Sequence, residues 1–299
     1  MKTAVIEPTV VPLERGWTMA DLAQLVKARL TFLVLLTTAV GFYVGWQGPM
    51  DFVALLHAVF GTALAAAGAA ALNQWWEHQY DAIMVRTQTR PIPSGRMTPR
   101  EGLIVGTILG VGGVIYLAVA VNWISALLAA ATIAIYLFAY TPLKRISTTN
   151  TLVGAIPGAL PPLIGWAAAR NDLAPPAWTL FAILFFWQLP HFFAIGWMYR
   201  EDYARAGFVM LSGNDGEGER TGRQSVFFTV LLLIASVTPV WCGLASLLYL
   251  PIALSLGTLF LALAFRFQRQ RNLPTARHLF FASITYLPLL LGALVLTKR

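Results

Sequence analysis

Residues 30–50, 102–143, 146–169, 173–199 and 224–265 contain no Asp, Glu, Lys or Arg. A helix crossing the bilayer core needs roughly 20 predominantly apolar residues. These stretches meet that length, and the run 102–143 is long enough for two crossings. A soluble fold of 299 residues would have to coat its surface with charge, yet only 11% of this chain is charged, against about 25% for soluble domains. The sequence therefore predicts an all-α, polytopic membrane protein.

Nine spans are expected, at 30–47, 52–76, 101–121, 123–141, 150–169, 177–199, 224–245, 248–266 and 279–297. Asn122 and Trp123 offer a turn dividing the longest neutral run, and Leu248 to Pro251 divide the run 224–265. Of the 21 lysines and arginines, 18 fall in the N-terminal segment and in alternate loops; only Arg170, Lys298 and Arg299 fall on the other side. Positive charge accumulates in short cytoplasmic loops, so the N-terminus and the large loops are expected in the cytoplasm and the C-terminus outside. The same rule explains the net charge of +8 without nucleic acid, for which no motif is present. Residues 1–29 are mixed and polar, with Glu7, Glu14 and Asp21. They lack the basic start and short apolar core of a secretory signal. A cytoplasmic segment 1–29 followed by one transmembrane domain 30–299, in a bacterial plasma membrane, is the expected organisation. The single cysteine, Cys242, excludes an intrachain disulfide.

Chemistry concentrates at the ends of two spans. Asn73, Glu77 and Asp81 are spaced four and four, which puts them on one helical face rising about 12 Å. Two carboxylates so close repel unless a cation lies between them. Mg²⁺ takes oxygen ligands, commonly one or two carboxylates plus substrate phosphates. Arg86 and Arg90 follow in the loop, and guanidinium forks match phosphate oxygens. Carboxylates beside arginines have the composition of a diphosphate site. Ionisable groups at membrane depth are costly and usually functional, whereas Trp75 and Trp76 read as an interfacial aromatic belt.

The second span end carries Asp202, flanked by Tyr199 and Tyr203. Asp202 is a candidate for a second Mg²⁺ across a cavity from the stripe. The segment SGNDGEGERTGR, ending in Arg220 and Arg223, has the composition of either a mobile lid or a solvated connector. His191 admits two readings: an imidazole that contacts a ligand, or a hydrogen bond within the bundle. His57, His78 and His278 read as structural. Gly154, Gly158 and Pro161–Pro162 read as small-residue helix packing or as a close backbone approach to a cavity.

Together these residues resemble the UbiA superfamily of intramembrane prenyltransferases, whose pattern is N-D-x-x-D-x-x-x-D near one helix end and D-x-x-x-D near another. Gln74 stands where the superfamily has its first Asp, Glu77 replaces the second, and Ala206 stands where another Asp would follow Asp202. Three longer strings, MVRTQTRPIPSGR (84–96), YTPLKRISTTNTLVGAIPGALPPLIGW (140–166) and WQLPHFFAIGWMYREDYARAGFVML (187–211), are similar to the heme O synthase branch, except that Val209 stands where that branch usually has proline.

The resemblance implies nine helices around a central cavity. It implies farnesyl transfer from farnesyl diphosphate to a vinyl group of heme b, with water addition, giving heme O. It implies Mg²⁺ on Asn73, Glu77, Asp81 and Asp202. Arg86, Arg90, Lys144, Arg145, Arg220 and Arg223 become diphosphate candidates, and His191, Tyr199 and Tyr203 heme candidates. Heme A synthase is a candidate partner beyond the lipid and the two substrates. Two other functions fit parts of the pattern: prenylation of an aromatic acid or quinone precursor, and secondary transport. Transporters place their sites near the midplane, whereas the polar residues here gather at one end.

Overall fold

A computed structural model describes residues 16–299; Lys2, Glu7, Glu14 and Arg15 lie outside the described residues. After a short α1 (Met19–Leu25) come α2 (Ala28–Gly45), α3 (Phe52–Asp81), α4 (Pro99–Ala120) and α5 (Trp123–Ala134). A π-helix (Ile135–Tyr140) continues α5 into a single turn, α6 (Thr141–Leu143). Then follow α7 (Asn150–Ala159), α8 (Pro161–Arg170), α9 (Pro175–Met198), the short α10 (Arg200–Arg205), α11 (Glu219–Trp241), α12 (Tyr249–Gln270) and α13 (Leu273–Leu296). Among the described residues, nine helical runs are long and apolar enough to span a membrane, and the only β pairing is an isolated bridge between Ala245 and Lys298.

The breaks follow the local chemistry. Asn122 caps α5 by accepting from the Ser125 N–H, and its amide donates to the Ala167 carbonyl, so the expected turn also ties two spans together. Pro161 and Pro162 open α8 and divide the fifth span, because a proline cannot donate to the preceding turn. The departure from the expected boundaries that matters for the site is in α3, which continues beyond residue 76 to Asp81. Asn73, Glu77 and Asp81 therefore stand on one unbroken helix.

Lipid offers no hydrophobic drive for helix association, so close van der Waals packing between small residues does that work. Gly68 of α3 lies so close to Gly110 of α4 that an added Cβ would fall 2.2 Å from the Gly110 nitrogen. Gly41 of α2 and Gly165 of α8 are pinned in the same way against Pro162 and Thr38 backbone. Gly154 and Gly158 belong to this class: their faces are filled by the Tyr140 ring and the Gln188 side chain. One end of the bundle is closed by Lys298, whose ammonium donates to the Tyr43 and Trp46 carbonyls at the end of α2. At the other end the loops after α3, α6 and α9 converge.

Candidate functional site

Each member of the α3 stripe is buried, and each meets a cation from a different part of the chain. Lys144 donates to both Glu77 oxygens at 2.8 and 2.9 Å. Arg90 pairs with Asp81 at 2.5 Å. The Lys27 ammonium donates to the Asn73 Oδ1 at 2.8 Å, while the Asn73 amide donates to Glu77 and Thr141. Three cations thus surround two carboxylates at the end of α3.

Lys27 was absent from the sequence-derived candidates. It sits between α1 and α2 in the left-handed region (φ 50°), uncommon for a residue with a side chain. The reversal there turns its side chain onto α3. Gln74 anchors this turn by donating to the Gln24 and Leu25 carbonyls in the last turn of α1. An aspartate at 74 could only accept, and would face those two carbonyls without a proton to offer. The glutamine that departs from the superfamily pattern therefore has a structural reason.

The π-helix supplies the remaining neighbours. Its wide turn leaves the Tyr136 carbonyl to receive the Thr141 N–H and hydroxyl, and brings the Tyr136 hydroxyl to the Asn73 Oδ1 at 3.2 Å. Lys144 then lies over the Tyr140 ring, 4.5 Å from its centre. π-Helical turns cluster at functional sites. The sequence signal was the string around Tyr140–Lys144, but helical periodicity of 3.6 does not reveal an inserted wide turn.

Asp202 behaves differently from the stripe. Its carboxylate accepts from the backbone N–H groups of Val85 (2.9 Å) and Arg86 (3.2 Å), and from Arg205. It fixes the loop after α3. The Arg86 guanidinium lies between the Tyr199 and Tyr203 rings, 5.5 and 5.7 Å from their centres, and donates to the Tyr203 hydroxyl. These two tyrosines therefore hold an arginine of the first loop. Arg145 packs on Tyr80 in the same way, 4.4 Å from the ring centre, and donates to its hydroxyl. Among the described residues, no three His, Cys, Asp or Glu side chains lie close enough together to form a metal site on their own.

Val209 explains its own departure. Its N–H donates to the Lys144 carbonyl at 2.6 Å, and its carbonyl accepts from Asn150. A proline could make only the second of these bonds.

Arg220 and Arg223 are not at the end of a loop: α11 begins at Glu219 and carries both. The preceding segment is pinned, since the buried Asp215 accepts from the Thr221 N–H and hydroxyl, and Ser212 donates to the Gly196 carbonyl. Both arginines line a separate cavity of about 340 Å³, to which Asn73, Glu77 and Asp81 do not contribute. His191 donates or accepts through Nδ1 with Ser283 at 2.7 Å and stacks between Trp187 and Phe280. It is seated at the junction of α9 and α13. His57 bonds Tyr116 and His78 bonds the Trp75 carbonyl, as structural histidines do.

The electrostatics favour an anion. Burial, reinforced by the Arg90 and Lys144 charges, pushes the Lys27 pKa down to about 7. Burial also opposes the charge on Lys144, but Glu77, Tyr140 and Tyr136 outweigh it and raise its pKa above that of an ordinary lysine. The oxygen donors Glu77, Asp81 and Asn73 suit Mg²⁺, which asks for one or two carboxylates and completes its shell with phosphate and water. Asp81 keeps its Oδ1 without a hydrogen bond among the described residues, and the cations on both carboxylates are flexible side chains able to turn away. The donor set fits the ion.

The sequence profile of the UbiA prenyltransferase family matches residues 34–285. The chain is 44% identical over 289 residues to the protoheme IX farnesyltransferase of Solibacter usitatus, covering 94% of this chain and 99% of that one. It is 43% identical to the enzyme of the same name from Opitutus terrae, covering 93% and 95%. The human mitochondrial protoheme IX farnesyltransferase is 39% identical over 93% of this chain and 62% of its own. Among solved structures, a digeranylgeranylglyceryl phosphate synthase superposes with a TM-score of 0.79 at 16% identity, covering 93% and 98%. A UbiA homologue from Archaeoglobus fulgidus bound to GPP and Mg²⁺ gives 0.67 at 13% identity, covering 92% and 99%. A profile match over most of the length, and relatives this similar over nearly both full chains, place the protein: it belongs to the UbiA prenyltransferase family.

Proposed function

We propose that this protein transfers the farnesyl group of farnesyl diphosphate to a vinyl group of heme b, with addition of water, giving heme O. The observation that carries the reading is the α3 stripe: two buried carboxylates and an asparagine, each met by a separate cation at one end of a membrane bundle. The names of the relatives at 39–44% identity supply the acceptor.

In this reading Glu77, Asp81 and Asn73 hold Mg²⁺, which would neutralise the diphosphate and improve it as a leaving group. The binding of GPP and Mg²⁺ by the Archaeoglobus homologue supports a metal-dependent reaction in this fold. Lys144, Arg90 and Lys27 turn from the stripe toward the phosphate oxygens, and Arg86 and Arg145, steadied by tyrosine rings, complete the positive wall. These preorganised charges act where negative charge develops. The C1–O bond of farnesyl diphosphate breaks, and its electron pair leaves with the diphosphate. The allylic cation forms a C–C bond with the vinyl group. Water then adds to the resulting cation and loses a proton to solvent. Asp202 holds Val85 and Arg86 in place through both of its carboxylate oxygens. The lysine and arginine distribution supports a cytoplasmic placement of this end in a bacterial inner membrane.

The test is direct. Purified protein in nanodiscs is incubated with heme b, farnesyl diphosphate and Mg²⁺, and the porphyrins are analysed by mass spectrometry. A gain of one farnesyl plus one water, lost on chelation, is expected. Unmodified heme from folded protein, with prenylation of 4-hydroxybenzoate instead, would move the function to the phenolic acceptors.

A further inference from the structure

The cavity of about 340 Å³ between the start of α7, α9 and α11 is separate from the stripe, yet adjoins it along the chain: Thr148 follows Lys144 by four residues. Its volume falls in the range of ligand pockets, roughly 300–1,000 Å³. Its wall has two characters. Arg220, Arg223, Thr148 and Thr149 present cations and hydroxyls; Phe193 and Phe228 present aromatic surface. No Asp or Glu lines it, so it offers no carboxylate to hold the Mg²⁺ of a metal-bound diphosphate.

Arg220 and Arg223 are three apart on α11 and share a face. Both are exposed, and neither side chain has a hydrogen bond or ion pair among the described residues. The arginines near the stripe contrast with them: Arg86, Arg90 and Arg145 are each engaged. Two adjacent, unengaged guanidinium forks over an aromatic floor match an apolar ring carrying two carboxylates on one edge. Arginine recognises carboxylates bidentately, and the rings supply flat apolar contact.

We propose that this cavity binds the propionate edge of the acceptor porphyrin, with Arg220 and Arg223 each taking one carboxylate; the inference rests on heme b being the acceptor. Protoheme carries its propionates on one edge and its vinyl groups on the opposite side. Anchoring the propionates leaves the vinyl edge outside the cavity and free to meet the prenyl carbon. The volume suits the propionate arms and a pyrrole edge, not the whole macrocycle. His191 does not serve this orientation, since it is two residues from Phe193, about 200° around α9, and is packed against α13.

The experiment uses full-length protein in nanodiscs without farnesyl diphosphate. Heme b and its dipropionate dimethyl ester are titrated by Soret absorbance into wild type and the Arg220→Gln/Arg223→Gln double variant. Farnesyl diphosphate affinity is measured separately with Mg²⁺ present. The double variant is expected to bind heme b at least tenfold more weakly. The ester should bind wild type as weakly as heme b binds the variant, and farnesyl diphosphate affinity should be unchanged, which also shows the variant folded. The Arg220→Lys/Arg223→Lys pair should recover most of the heme affinity. Undiminished heme binding by the glutamine pair overturns the inference while leaving the farnesyl transfer reading intact. So does a selective loss of farnesyl diphosphate affinity, or a lysine pair as weak as the glutamine pair. Wild type that binds and modifies no heme overturns both.

Discussion

The α3 stripe and Asp202 look alike in sequence, as acidic positions at the ends of two spans, but their surroundings differ in kind. Glu77 and Asp81 face the ends of flexible side chains, Lys144 and Arg90. Asp202 faces the fixed backbone N–H groups of Val85 and Arg86. A side-chain cation can swing aside when a metal or phosphate arrives. A backbone donor cannot leave without moving the loop and losing its only partner, and an unpaired amide is costly. The partners of a carboxylate, more than its burial, separate an exchangeable ligand from an anchor.

The sharpest way to test this contrast is at Glu77. Glu77→Gln should reduce heme O formation by about 10²–10³-fold, the usual effect of removing one preorganised electrostatic group, and should raise the Mg²⁺ concentration needed for half-maximal rate. Activity within a few-fold of wild type would remove the stripe from the chemistry.

Next comes Asp202→Ala. It should weaken the loop by about 1.5–3 kcal/mol, the usual range for hydrogen bonds to a charged group. Faster tryptic cleavage at Arg86 would report this, with the Mg²⁺ requirement unchanged. If the Mg²⁺ titration moves as it does for Glu77→Gln, Asp202 is a metal ligand and the contrast collapses.

Lys27→Met should raise KM for farnesyl diphosphate about tenfold, ~1.4 kcal/mol, with heme affinity preserved. A Lys27 that merely supports the fold would lower the melting temperature and leave KM alone. Val209→Pro removes the N–H that holds the Lys144 carbonyl, at about 0.5–1.5 kcal/mol, and a small drop in thermal stability should be its main effect.

The smallest effect concerns the clamp from Asp21 to Arg96, which ties α1 to the loop after α3 at 2.7 Å. The Arg96 hydrogen bond, with Thr18, holds the Asp21 pKa down to about 2, against an ordinary 3.8. A lowered carboxylate pKa stabilises the fold fully above the unfolded value and progressively less as pH falls toward the folded one. The clamp should therefore be intact above about pH 4 and lost between 4 and 2, and Asp21→Asn should flatten that part of the stability profile. An identical acid profile for both proteins would exclude the clamp as a contributor.

The spans were legible because hydropathy and charge distribution act locally along the chain. The α3 stripe was legible because residues four apart share a helical face wherever the helix sits. Lys27 was not legible: nothing in VKARL marks that lysine over Arg29, and its role depends on a left-handed turn and on docking with α3. The segment 212–223, read from sequence as either a mobile lid or a solvated connector, departs from both at its C-terminal end for a related reason. Glycine and charge suggested a loop to the end, but Asp215 caps the start of α11 and draws Arg220 and Arg223 onto a helix.

By itself the sequence determined which helices among the described residues are long and apolar enough to cross a membrane, the alternate loops in which the basic residues gather and the spacing of Asn73, Glu77 and Asp81, because each follows from local length, charge or helical repeat. Only the tertiary structure decided which groups face those side chains. Lys27 reaches Asn73 across 46 residues, Lys144 reaches Glu77 across 67, and Asp202 reaches Val85 across 117. Such pairings depend on how helices pack through their glycine contacts, and no periodicity in a single chain encodes the distance between two of its faces.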